Sequence, residues 1–203
     1  MDKYVLDTNL FFNMEPGLGL GKKTEEVIKK TAEAIARQRG KAEFFMPPRI
    51  VDELLSFFAD KKQTFLNDFL SQISVKSPDV AKVDFSAQVF YQIVKDIRDR
   101  SYRGLNIAEE ELKKAAQMML GQPKTDKKDF EVKIGDNLKN LRARYRQATR
   151  FGFLDSVADL DLIVLAKEVD GYLVSTDEGV IRWGRVFGVK EMDAAVLGKK
   201  LQA

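Results

Sequence analysis

The sequence predicts an α/β protein in which a parallel sheet is flanked by helices and interrupted by a helical insertion. Three observations predict it. Short apolar runs alternate with amphipathic segments at both ends of the chain, the pattern of parallel strands joined by crossover helices. Residues 85–150 instead carry helical periodicity with no strand signal,. Finally, aspartates directly follow two of the apolar runs, at the sheet edge where open parallel sheets bind ligands.

The elements follow in order. "KYVL" (Lys3 to Leu6) reads as a buried strand that ends in the polar turn Asp7-Thr8-Asn9,. Pro16 and the glycines at 17, 19 and 21 predict a flexible loop beside Asp7,. Thr24 to Arg39 places Val27, Ile28, Ala32 and Ile35 on one helical face, and Gly40 stops it,. "AEFFMPPR" gives a second strand, halted by Pro47 and Pro48,. Residues 49–73 read as helix with a break near Lys61, and "ISVKSP" as a third strand. The insertion, 85–150, is punctuated at Gly104, Gly121 and Gly135. Asp155 to Val169 is a helix with Ser156 or Asp159 as cap, "GYLVST" a strand, and "DEGVIRWGRVFG" a short helix,. "VKEMDAAVLGKKL" supplies a last strand or helix. The expected organisation is thus one domain from 1–84 and 151–203, split by an insertion at 85–150.

Composition excludes whole classes of chemistry. The 203 residues contain no Cys and no His. Disulfides, thiolate nucleophiles, imidazole bases and Cys- or His-ligated zinc are all absent. Hydrolysis must therefore rest on carboxylates, lysines or a metal held by oxygen. No apolar run approaches the roughly 20 residues that span a bilayer. "MDKYVLDTN" begins a strand with no signal-peptide pattern,, so a cytoplasmic protein is expected.

The acids form the main constellation. Asp7 and Asp177 follow strands and share one sheet edge,. Asp155 and Asp159 lie four apart on one helix face, whereas Asp161 points roughly 200° away from Asp159,. A helix packed on the sheet would bring its first turn to the same edge, and Glu53 on an earlier helix could join it. Converging carboxylates repel one another, and a divalent cation relieves that repulsion. All-oxygen ligation favours Mg²⁺, with Mn²⁺ as substitute, over zinc. Any one of these acids, taken alone, is better explained as a helix cap. The convergence of several is what points to a site.

The insertion holds the positive charge. Residues 85–150 carry 15 Lys+Arg against 9 Asp+Glu, while the rest of the chain carries 19 against 22. "NLKNLRARYRQATR" (137–150) has no acid, and Lys139, Arg142, Arg146 and Arg150 form one helical stripe,. Such a stripe suits a phosphate backbone, against the simpler reading of a solvated face. Lys22 and Lys23 add cations near Asp7. "PGLGLGKKT" is no P-loop: three residues rather than four separate Gly17 from Gly21-Lys22, and Lys23 intervenes before Thr24,. Apolar positions Val89, Phe90, Ile93, Val94 and Ile97, then Leu112, Ala115, Ala116 and Met119, need cover from each other or a partner,.

"VLDTNLFF", "MPPRIVDELLSFF" and "DLDLIVLAKEVDGYLVSTDEG" resemble the PIN-domain nucleases. Thr176 stands directly before Asp177, without the intervening residue of many PIN toxins. The layout most closely resembles the small prokaryotic RNA-free ribonuclease P family, also called HARP or RNA ligase partner proteins. The shared traits are the length, the helical insertion, and "FLD" followed by a second Asp four residues on. The resemblance implies a PIN-like sheet with a spike-like insertion. It also implies Mg²⁺-dependent removal of the 5′ leader from precursor tRNA, leaving a 5′-phosphate. Catalytic positions carried over are Asp7, Asp155, Asp159 and Asp177, with Asp7, Asp159 and Asp177 on the metal and Asp161 and Glu53 as accessories. A large, dodecamer-like homo-oligomer is implied as well, and no protein cofactor is evident. The rival classes are a toxin-type PIN ribonuclease, which is usually shorter, and a non-catalytic RNA-binding or assembly protein.

Overall fold

A computed structural model describes residues 1–13, 17–123, 126–150, 154 and 156–202, with the Arg150 side chain excepted. The five strands are β1 (Asp2–Leu6), β2 (Ala42–Met46), β3 (Ser74–Val75), β4 (Tyr172–Val174) and β5 (Lys190–Glu191). All pair in parallel, in the order β3-β2-β1-β4-β5. β1 is central, with Val5 opposite Phe45 on one side and Leu173 on the other. Tyr4, Val5 and Leu6 are buried, as a strand covered on both faces requires,.

The helices of this unit are α1 (Asn9–Phe12), α2 (Thr24–Arg37), α3 (Pro48–Ser56) and α4 (Thr64–Gln72), then, after the insertion, α7 (Val157–Glu168), α8 (Glu178–Val186) and α9 (Ala194–Gln202). α2 packs with α1, α4 and α9, while α7 packs with α3, α8, β1 and β4. The sheet therefore carries a helical layer on each face. Pro48 opens α3 at its first position, where the missing N–H costs nothing,. Ser156, not Asp159, caps α7, accepting the Ala158 N–H at 3.0 Å.

The Gly-rich loop is packed on the fold over its described residues. Gly17, Leu18 and Leu20 are buried. A Cβ on Gly198 of α9 would overlap the Leu18 carbonyl oxygen. Gly17 and Gly198 permit these close backbone approaches, where a Cβ would meet a carbonyl oxygen,.

The chain divides into two compact units, Met1–Val89 with Leu154–Ala203, and Phe90–Phe153. The second consists of α5 (Gln88–Met119), which starts in the first unit, and α6 (Lys127–Arg150). Gly104 and Gly135 do not break these helices, contrary to the sequence expectation. A glycine costs about 1 kcal/mol in a helix, and at Gly104 packing uses the missing side chain: a Cβ would lie 2.7 Å from Tyr145 Cε2. Arg144 of α6 bonds Glu110 and Glu111 of α5, each at 2.6 Å. No described helix is long and apolar enough to cross a membrane.

Candidate active site

The strand order reverses between β1 and β4, and a ligand site is expected at the carboxyl ends of such a pair,. Asp7 sits there. Its N–H extends the ladder to the Val174 carbonyl at 3.1 Å. The carboxyl is only 3% exposed. Ser175, the next residue of β4's chain, donates its hydroxyl to Asp7 Oδ2 at 2.5 Å, and Asn9 Nδ2 approaches the same oxygen at 3.4 Å. Burial raises the Asp7 pKa to about 6, opposed by the bonds from Ser175 and the Asn9 backbone and assisted by the charges of Glu53 and Asp177,.

Asp177 is exposed at the start of α8. Its N–H donates to Ser175 Oγ at 2.9 Å, and its Oδ1 accepts from Gly179 and Val180 N–H at 2.7 and 3.1 Å. The capping role considered from sequence is real, yet both capping bonds fall on one oxygen, and the charge still reaches Asp7. Ser175 thus bridges the two acids, a role that sequence reasoning missed by fixing on Thr176. Thr176 instead accepts Asn13 Nδ2 at 2.8 Å. The usable signal was a hydroxyl two residues before the acid, in Ser175-Thr176-Asp177.

The other acids divide. Asp159 lies half-buried in the first turn of α7, the helix packed on β1 and β4. Glu53, exposed on α3, contributes to the field at Asp7. α3 is tied to this edge because Thr8, beside Asp7, donates its hydroxyl to the Ile50 carbonyl at 3.2 Å. Asp161, two positions further along α7, pairs with Arg49 Nη1 of α3 at 2.5 Å. Asp155 lies outside the described residues. Among the described residues, no group of three or more acids is gathered closely enough to hold a metal ion by itself.

In the helical unit, Lys139, Arg142 and Arg146 are exposed, and none pairs with a described acid. The Arg150 side chain is outside the described residues. Arg144 is different: Glu110 and Glu111 engage it, so the acid-free run is partly compensated from α5. Lys22 and Lys23 are exposed just before α2, with the Lys22 N–H bonded to Glu26 Oε2 at 3.0 Å.

Comparison with known proteins gives a consistent result. Residues 3–203 match the family described as PINc domain ribonuclease. A protein named RNA-free ribonuclease P from Pyrococcus horikoshii is 36% identical over 194 residues, 96% of this chain and 88% of that one. Its namesake from Pyrococcus furiosus is 34% identical, covering 96% and 89%. One from Thermodesulfovibrio yellowstonii is 33% identical, covering 93% and 87%.

Proposed function

The chain belongs to the PINc-domain ribonucleases and, among them, to the RNA-free ribonuclease P family, and from that premise we propose that its acidic centre cuts precursor tRNA where the 5′ leader meets the mature molecule. It is an endoribonuclease of tRNA processing. The observation that carries the site assignment is Asp7: a buried carboxyl between β1 and β4, held by Ser175 and facing the charges of Asp177 and Glu53. Asp7, Asp155, Asp159 and Asp177 are the catalytic set.

The donors fit a hard divalent cation, Mg²⁺ or Mn²⁺, because they are all oxygen and like-charged. Such an ion takes one or two carboxylates directly and keeps waters. Asp7, Asp159 and Asp177 would hold it, partly through water. When bound, such a cation supplies charge stabilisation at the phosphoryl oxygens and a more acidic attacking water. Ser175 keeps Asp7 oriented and partly offsets the effect of burial on its ionisation. In the hydrolysis, water oxygen bonds to phosphorus, the bond to the leader's 3′ oxygen breaks, and that oxygen takes a proton. The products are a 5′-phosphate on the tRNA and a 3′-hydroxyl on the leader.

Lys139, Arg142, Arg146 and Arg150 would bind the tRNA backbone, which positions a substrate without reading its sequence. Lys22 and Lys23 would add contacts on the nuclease unit. Phe90, Val94 and Ile97 are 65%, 66% and 51% exposed on α5, too large an apolar stripe to leave in water. We assign it to self-association into a homo-oligomer. A precursor-tRNA substrate supports a cytoplasmic enzyme. The test is the chemistry of the cut: one site, at the mature 5′ end, bearing a 5′-phosphate. Scattered cuts would favour a general PIN ribonuclease instead.

A further inference from the structure

α3 presents more than Glu53 to the acidic edge. Arg49, Glu53 and Phe57 are spaced by four residues and fall on one stripe of the helix, with Phe57 as its helical C-cap,. Phe57 is 58% exposed and is the one exposed aromatic side chain among the described residues of the nuclease unit. Its ring lies 4.2 Å, centroid to centroid, from that of Phe12, at 37°. Phe12 ends α1, the short helix that starts two residues after Asp7. The next residue, Asn13, donates to Thr176, which precedes Asp177. The aromatic pair is therefore fastened to both sides of the acidic centre. Lys61 and Lys62 follow on the same connection, exposed, with their ammonium groups in no ion pair to a described acid; the Lys62 N–H donates to Asp60 Oδ1 at 2.9 Å.

An exposed aromatic ring beside cations is the composition of a single-strand nucleic-acid platform: bases stack on the ring while the cations face the phosphates. The first nucleotide of mature tRNA is base-paired at the end of a stem, so its pairing edge and inner face are already engaged. The leader is single-stranded and offers free base faces. Resting on the ribonuclease P reading, we propose that Phe57, backed by Phe12, stacks an unpaired leader nucleobase next to the cut, with Lys61 and Lys62 facing the leader's phosphates.

A cycle between protein and substrate tests this. Single-turnover cleavage is measured for the wild type, Phe57→Ala and Phe57→Tyr. The substrates are a precursor tRNA with a five-nucleotide leader and the same RNA made abasic at the two leader positions before the cut. The wild type should lose about tenfold on the abasic RNA. Phe57→Ala should lose a similar factor on the normal RNA and nothing further on the abasic one, while Phe57→Tyr should match the wild type. An unchanged wild-type rate on the abasic RNA overturns the proposal. So does a Phe57→Ala loss that persists in full on it, which would point to a fold or subunit-contact role. Binding of an unpaired RNA oligonucleotide, read by fluorescence anisotropy, separates this idea from the cleavage reading. If precursor tRNA is not cut at all, a roughly tenfold affinity loss in Phe57→Ala still supports the platform, and unchanged affinity rejects it.

Discussion

The Ser175 hydroxyl donates to Asp7 Oδ2 and accepts the backbone N–H of Asp177, so one buried oxygen ties the two acids of the β1–β4 edge together. Ser175→Ala leaves that N–H without its acceptor and removes the shortest donor to Asp7, leaving it only the bonds from Asn9. Leaving a buried polar group unpaired costs about 1–3 kcal/mol. Loss of a group that orients a ligand costs activity about 10–100-fold. Because the Ser175 bond lowers the Asp7 pKa, its removal should also move the acidic limb of the pH–rate profile upward. Denaturant melts and a pH series check both.

Asp7 makes stability pH-dependent in an unusual direction. Its folded pKa is raised from 3.8 to about 6. The folded state then holds a proton that the unfolded state has lost, so stability falls as pH rises through that window. The stabilisation is fully present below pH 4 and gone above about pH 6, an effect of about 2–3 kcal/mol. Asp7→Asn should therefore melt higher than the wild type at pH 8 without divalent ions and show no activity. Mg²⁺ should raise the wild-type melting temperature and leave that of the variant nearly unchanged.

The basic stripe predicts a salt effect. Replacing Lys139, Arg142 and Arg146 with Ala should weaken precursor-tRNA binding and reduce the slope of log K against log salt by about 2. Melting should stay near wild type, since all three side chains are exposed. Filter binding between low and moderate salt decides it.

Gly198→Ala tests the anchored loop. The added methyl meets the Leu18 backbone, and over-packing of this kind costs about 1–3 kcal/mol. A lower melting temperature is the expected result. An unchanged one would mean that the loop moves freely after all.

Much of the fold was legible because strand and helix leave different periods in the chain, and the aspartates at 7 and 177 stand where apolar runs stop. What was not legible is tertiary. Burial of Ser175 depends on β1 lying beside β4, 168 residues away along the chain. The acids that neutralise Arg144 come from α5, more than 30 residues earlier, so an acid-free run overstated the free charge. Gly104 read as a break because sequence shows its missing side chain but not the Tyr145 ring against it. The packing of the loop from Gly17 to Gly21 was hidden for the same reason: its two leucines find their cover in the fold. Helical geometry set Asp161 apart from Asp159 in the sequence, but its partner Arg49, 112 residues distant, was not visible there.

The most direct measurement is cleavage of a 5′-labelled precursor tRNA by the wild type and Asp159→Asn, each with Mg²⁺ and with EDTA, with RNA binding and circular dichroism alongside. The account predicts one Mg²⁺-dependent cut at the mature 5′ end by the wild type, and none by a variant that still folds and binds RNA. Full activity of Asp159→Asn, or wild-type cleavage that survives EDTA, would contradict it.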